Sequence, residues 1–368
     1  MAHEPLVAHG TRRVTLVVPG SLDTPTGGYA YDRRVIAELA VRGWAVDVLD
    51  LGDGFPFPAA ETLVRAARLL AALPAGATAL CDGLAFGAMP AVAHGHRDRL
   101  TLVALVHHPL ALETGLDPAA AATLADSERT ALHAARAVVV TSRATARLLG
   151  DYGVPADRIT VAPPGTDRPS AAPARNRGPG GPVQLLAVAS LVPRKGHGLL
   201  LDALTRLRDL PWRLTCVGSL DLDPATAQAI RDLAHARGLD ARITFVGAVP
   251  SSDLARFYEA ADVFVMPTWY EGYGMAVAEA IAHGLPVVAS RTGGIPDLVD
   301  DRSGVLLPPG ALDPLTTALE RVIREDTWRA SLAAGAAMRA VTLPTWPETA
   351  AAVEQALLAA HHHGELQR

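Results

Sequence analysis

Residues 263–297 read VFVMPTWYEGYGMAVAEAIAHGLPVVASRTGGIPD. The apolar runs 263–266 and 286–289 have strand length, 273–283 has helix length, and a short helix is expected near 295–299. Gly272 and Gly274, then Gly293 and Gly294, stand where a strand gives way to a helix. Free backbone amides face outward at such helix starts and favour an anion. Strand, helix and strand in this order predict parallel strands, because parallel neighbours need a crossover between them.

The alternation continues on both sides. Upstream, strands are expected at 183–190, 212–217 and 242–246, with helices at 198–208, 223–237 and 251–260. Downstream follow strand 304–307 and helix 311–325. The first half repeats the pattern with strands at 13–18, 44–49, 78–81, 100–106 and 137–141 and helices at 28–42 and 61–73. Between the two series lies 168–182, RPSAAPARNRGPGGP, which has no apolar period and reads as a linker. The expected organisation is a first α/β domain over 1–167, the linker 168–182, and a second α/β domain over 183–344. A final helix over 345–362 lies outside the series. Open parallel sheets bind ligands beyond the carboxyl ends of their strands, so the loops after strands carry the functional weight.

Length and composition narrow the class. The 368 residues suit two domains, and 49% apolar with 19% charged residues describes a folded chain. A net charge of −5 supplies no basic field for nucleic acid. No apolar run is long enough to span a membrane, and the N-terminus lacks a secretory core. Cys81 and Cys216 are expected as buried, reduced thiols, and a cytoplasmic protein is expected. His361-His362-His363 resembles a metal tract but is expected to be a polar chain end.

Lys195 is the only lysine, although Lys and Arg together number 33. A phosphate site built for a compact ammonium need not accept Arg, so this position draws attention. It lies in Pro193-Arg194-Lys195-Gly196-His197-Gly198, after the first strand of the second domain. Two cations at a helix start can neutralise a diphosphate leaving group. Gly27-Gly28 opens the first helix and reads either as an anion site or as a tight turn. The spacing there is not G-x-G-x-x-G, and no acid convincingly ends the second strand, which disfavours a dehydrogenase. His107-His108 follows a strand and would face the cleft mouth. Glu271 and Glu279 are eight residues apart, roughly 12 Å along a helix. That is too far to share a proton, but it suits two separated groups of one extended ligand.

The segment EGYGMAVAE with its flanks AIAHGLPVVAS and GGIPD resembles the retaining GT-B glycosyltransferases of family 4. PRKGH, TPTGGY and APPGTD fit the same pattern. The resemblance covers nearly the whole chain and is strongest over 185–310. It implies a GT-B fold, two Rossmann-like parallel-sheet domains facing a central cleft, with the last helix crossing back to the first domain and Trp346 packing at the crossover. It implies that Gly27 and Gly28 close over a diphosphate and that His107, with His108 as the alternative, lies near the transferred sugar. Lys195 would meet the diphosphate, Glu271 the sugar hydroxyls, and Glu279 the ribose. The backbone of Tyr273, Gly274 and Met275 would meet sugar and phosphate, and 247–251 with Val249 the base. The family's usual Arg before the Lys is absent, since Ala189-Ser190-Leu191 stands there; Arg194 is the candidate substitute.

The expected function is therefore retaining transfer from a nucleotide-diphosphate sugar, by a front-face route, without metal or cofactor. A UDP-sugar is favoured, because Ser251 rather than an acid stands near the base. The acceptor would be a small molecule, a glycan or a lipid-linked sugar. The alternatives are a nucleotide-sugar epimerase or hydrolase of the same fold, or a non-catalytic sugar-nucleotide binder.

Overall fold

The computed structural model describes residues 12–24, 26–113, 115–169 and 181–365. Most of the expected linker, 170–180, lies outside the described residues, as do 1–11 and the side chains of His362 and His363.

The first sheet is built from β1 (Arg12–Val18), β2 (Trp44–Asp50), β3 (Thr78–Asp82), β4 (Thr101–Val106), β5 (Ala137–Val140) and β6 (Ile159–Val161). Its helices are α1 (Gly27–Val41), α2 (Ala60–Ala72), α3 (Gly83–Phe86), α4 (Pro90–His96), α5 (Pro118–Leu132) and α6 (Arg143–Asp151). All strands are parallel, in the order β2-β1-β3-β4-β5-β6. The central strands read as unbroken apolar runs because helices cover both faces: all six residues of β4 are buried. One face holds Ala79, Cys81, Leu102 and Val138; the other holds Val14, Leu16, Leu80 and Val103.

The second sheet contains β7 (Val183–Val188), β8 (Trp212–Val217), β9 (Ile243–Gly247), β10 (Val263–Met266), β11 (Val287–Ser290) and β12 (Gly304–Leu307). It is covered by α7 (His197–Arg206), α8 (Pro224–Ala236), α9 (Ser251–Ala260), α10 (Met275–Ala282), α11 (Ile295–Leu298), α12 (Leu312–Arg324) and α13 (Asp326–Ala340). The order is β12-β11-β10-β7-β8-β9, again parallel. The chain runs outward from β7 on one side and then returns to build the other. The strand order therefore reverses between β7 and β10, and in the first sheet between β1 and β3. Crevices at such reversals are where open α/β sheets hold ligands.

α13 was not expected from the sequence. Its residues, DTWRASLAAGAAMRA, carry no pronounced apolar stripe. It packs through small residues instead: a Cβ on Gly335 would fall 1.9 Å from the Arg302 carbonyl oxygen. The buried Arg329 guanidinium donates to the Val322 carbonyl (2.6 Å) near the end of α12.

The last helix, α14 (Trp346–Glu365), lies on the first domain. Trp346, Val353, Ala356, Leu357 and Ala360 join Val14, Leu16, Val35 and Leu39 in one core cluster. Arg34 lies 4.9 Å above the Trp346 ring, and Tyr31 meets the ring edge-on at 6.0 Å. Glu354, nearly buried, accepts from Arg12, Arg42 and the Trp44 indole N–H. The two segments that join the domains are bonded side by side: Thr166 N–H donates to the Pro344 carbonyl (2.8 Å), and the Thr349 hydroxyl donates to the Pro163 carbonyl (2.7 Å). Trp346→Ala is expected to cost about 3–5 kcal/mol through the lost aromatic volume. A denaturant melt of the variant that overlays the parent curve would contradict this packing role.

Candidate functional site

The loop after β7 and the loop after β10 meet at the second sheet's reversal point. Lys195 ends a 3-10 turn, Pro193–Lys195, just before α7. Glu271 lies in the loop from β10 to α10. Lys195 Nζ donates to Glu271 Oε2 at 2.5 Å, and both side chains are only 15% exposed. Burial opposes the charge on Glu271, but Lys195, then Arg194, outweigh it and hold the carboxyl below its ordinary range. The Thr268 hydroxyl lies between the carbonyls of Arg194 (2.8 Å) and Tyr270 (2.9 Å), and Trp269 N–H donates to the Arg194 carbonyl, so the two loops are bonded to each other.

Arg194 has partners in both domains. Its Nε donates to Glu113 of the first domain (3.0 Å), its Nη1 donates to the Tyr270 carbonyl (2.9 Å), and Glu271 lies 3.8 Å away. It ties the domains together across the seam.

Gly274 caps α10 with φ +100°, a conformation that favours glycine, and no side chain caps this helix. Its first-turn amides are left for a ligand. Tyr273 and Met275 flank it. The Tyr273 ring is buried in the second domain's core. Met275 touches the cores of both domains. Gly293 and Gly294, expected as a glycine-rich strand-to-helix turn, press on the preceding loop: Gly294 N–H donates to the Glu271 carbonyl (3.1 Å), and a Cβ on Gly293 would fall 1.7 Å from that oxygen.

Glu279 is not brought to Glu271. It lies about one turn into α10, where Oε2 accepts from the Tyr258 hydroxyl at 2.7 Å. Burial lifts its carboxyl to about 7, against the pull of that bond. Val249 is half-buried in the turn between β9 and α9, at the edge of the second sheet.

The first domain faces this arrangement closely. A Cβ on Gly272 would fall 2.3 Å from the His107 carbonyl oxygen, and one on Gly27 would fall 3.9 Å from Met275 Sδ. His108 Nε2 lies 3.5 Å from Glu113. His107 turns its ring inward: Nε2 is 3.3 Å from Asp32 Oδ1 and 3.6 Å from Asp82 Oδ2. Gly28 packs on that ring, where a Cβ would lie 3.3 Å from Cδ2. At the start of α1, the Thr26 side chain occupies the Tyr29 amide. An acid does end the second strand, contrary to the sequence reading: Asp50 Oδ1 accepts from the amides of Gly20 (3.0 Å) and Gly52 (2.7 Å), which fastens the loop after β1.

Sequence reasoning missed Asp32, Asp82, Glu113, Tyr258 and Thr268. Asp82 was the most accessible of these, since it ends a parallel strand. Asp32 and Tyr258 lie within helices and become relevant only through the neighbours the fold brings them.

Comparison with known proteins places the chain among characterised relatives. The family described as "Glycosyltransferase Family 4" matches residues 27–168, and "Glycosyl transferases group 1" matches residues 182–325. An MMP alpha-(1->4)-mannosyltransferase of Mycolicibacterium hassiacum is 30% identical over 320 residues, covering 81% of this chain and 74% of its own. A D-inositol 3-phosphate glycosyltransferase of Pseudarthrobacter chlorophenolicus is 32% identical over 271 residues, covering 70% of this chain and 64% of its own. Among solved structures, sucrose-phosphate synthase from Thermosynechococcus elongatus superposes with a TM-score of 0.79 at 23% identity, covering 94% of this chain and 98% of its own. Anabaena HepE, solved in complex with UDP and glucose, has a TM-score of 0.72 at 18% identity and the same coverage. These two likenesses establish the GT-B fold. Among the described residues, no helix is long and apolar enough to cross a membrane.

The close seat of Gly272 against His107 makes a prediction. Gly272→Ala places a methyl group in the seam between the domains and holds them apart. Small-angle scattering is expected to show a larger radius of gyration than the parent, with little change in melting temperature. Superimposable scattering curves would remove the seam from the argument.

Proposed function

The chain belongs to glycosyltransferase family 4, and from that premise we propose that it transfers a sugar from a nucleotide-diphosphate donor with retention at the anomeric carbon. The observation that carries the reading is the Lys195–Glu271 pair at the reversal of the second sheet, set opposite His107 of the first domain. The donor diphosphate meets Lys195 and the uncapped amides that open α10. Its arrival draws Lys195 away from Glu271. The freed carboxylate then accepts hydrogen bonds from the sugar's hydroxyls, so phosphate binding and sugar binding are coupled. Glu279, held by Tyr258, receives the ribose, and the turn at Val249 receives the base.

In the transfer step the bond from the anomeric carbon to the phosphate oxygen breaks and the acceptor oxygen bonds to the same face. The acceptor's proton passes to the departing phosphate oxygen. Lys195 and the α10 amides stabilise the charge that grows on the diphosphate. The route uses no metal and no cofactor. A uridine donor is favoured, since 247–251 carries no carboxylate to meet guanine's N–H groups. The acceptor is a small polar molecule, glycan or lipid-linked sugar that enters from the first domain.

Lys195→Ala is expected to lower kcat about 10²–10³-fold, the usual loss for one such donor, and Glu271→Gln to remove most transfer. Near-parental rates in both variants would sink the site assignment. A thermal-shift screen of UDP-, GDP-, ADP- and dTDP-sugars is expected to show stabilisation by a UDP-sugar, growing with concentration over Kd. Stabilisation by a GDP-sugar alone would overturn the uridine reading, and no shift with any donor would overturn the proposal.

A further inference from the structure

We propose that Asp32, supported by Asp82, is a positioning residue for His107: the two carboxylates hold Nε2 from the interior and leave Nδ1 facing the cleft. The inference rests on the reading of the cleft as a glycosyl-transfer site.

Three elements converge at the reversal point of the first sheet. Asp32 comes from α1, Asp82 from the end of β3, and His107 from the loop after β4. Asp32 is fully buried, and neither of its oxygens nor His107 Nε2 has a hydrogen-bond partner; the ion-pair approach at 3.3 Å is what these buried atoms have in its place. Asp82 Oδ1 is committed to the Leu84 amide at the start of α3 (2.7 Å), so only Oδ2 is available to the imidazole. Tyr31 meets the ring edge-on at 5.3 Å, Gly28 closes on the Cδ2 edge, and the Thr141 hydroxyl holds the His107 carbonyl at 2.9 Å. The side chain nevertheless keeps 20% exposure. Nε2 being the buried nitrogen, the open edge is, on this proposal, assigned to Nδ1.

A buried carboxylate without a partner is costly, and His107 is the ion-pair partner of Asp32 among the described residues. The charges act on one another as expected. Burial disfavours a protonated imidazole, but Asp32 and then Asp82 outweigh it and hold His107 well above its ordinary range. Tyr31, the other titratable group on this ring, keeps its own proton because it is buried. Nδ1 is therefore a hydrogen-bond donor at neutral pH. It meets an oxygen of the donor sugar or its phosphate and does not take the acceptor's proton. That division of labour agrees with a departing diphosphate that serves as the base.

The same three ligand atoms lie within 4.8 Å of one another and have the chemistry of a divalent-metal site, so the test has to separate a clamp from a metal. Imidazole resonances of the full chain would be followed against pH in the parent, Asp32→Asn and Asp82→Asn, together with kcat and donor KM. Asn can keep the cap on Leu84, which makes the second variant conservative in structure. In the parent, His107 is expected to stay protonated through pH 8. In Asp32→Asn it should titrate at least one unit lower, with kcat down about tenfold or more and donor KM nearly unchanged. The variant's rate should also gain an alkaline fall at the new His107 pKa. Asp82→Asn should move each quantity the same way by less. A parent His107 that titrates near the ordinary value of about 6.5 would overturn the proposal. An Asp32→Asn enzyme with parental kcat would do so too, as would one equivalent of divalent metal bound to the parent and lost in that variant. The imidazole titration decides the clamp even if no donor is turned over, and failed turnover by the parent counts against the proposed function alone.

Discussion

A carboxylate buried at the meeting of two domains has to be neutralised, and Glu271 is neutralised by the chain's single lysine. Much else in the site follows from that pair. Lys195 reaches it because β7 and β10 are neighbours and their loops are stapled through Thr268 and Trp269. Gly293 and Gly294 let a second loop press on the Glu271 backbone and fix its direction. Breaking such a buried pair by removing one partner is typically worth about 3–5 kcal/mol, because the remaining charge is left uncompensated. A diphosphate can take over the lysine without that penalty only by bringing a ligand that also satisfies the glutamate. On the proposed function, the pair selects a molecule that carries both an anion and hydroxyls.

The opposite wall of the cleft solves a related problem with inverted charges. Two carboxylates enclose one imidazole at the first sheet's reversal point, as one carboxylate meets two cations at the second. Each domain buries a charged group at the place where its strand order turns, and each group faces the seam. The domains are held at this seam by Arg194 with Glu113, by the absence of a side chain at Gly272, and behind it by the paired crossing segments that lead into α14. Precise seating matters, since the proposed transfer needs groups from both walls on one small ligand.

Much of this was legible in the residue order. The βα alternation, the position of every strand but β6 and the final helix follow from apolar runs and glycine breaks. The EGYGMAVAE segment singled out Glu271, Gly274 and Met275, and the lone lysine drew attention to Lys195, which the fold sets on Glu271. α13 was illegible because its small residues make no stripe to detect. The service of Gly293-Gly294 was not legible because a glycine that admits a ligand and one that admits a neighbouring loop look alike in sequence. Arg194 was a candidate for the phosphate because it adjoins Lys195; what the residue order did not show is that its guanidinium also reaches Glu113 of the other domain.

By itself the sequence determined the parallel architecture, the two-fold division of the chain and the residues of the β10–α10 loop, because periodicity, breakers and local spacing are properties of neighbours along the chain. Only the tertiary structure decided what those residues touch. Lys195 and Glu271 are 76 positions apart and share a hydrogen bond. Asp32, Asp82 and His107 come from three separate elements and share one buried corner. Parallel sheets build their sites from loops brought together by strand order, and strand order is set by packing both faces of the sheet at once, which no local stretch of sequence encodes.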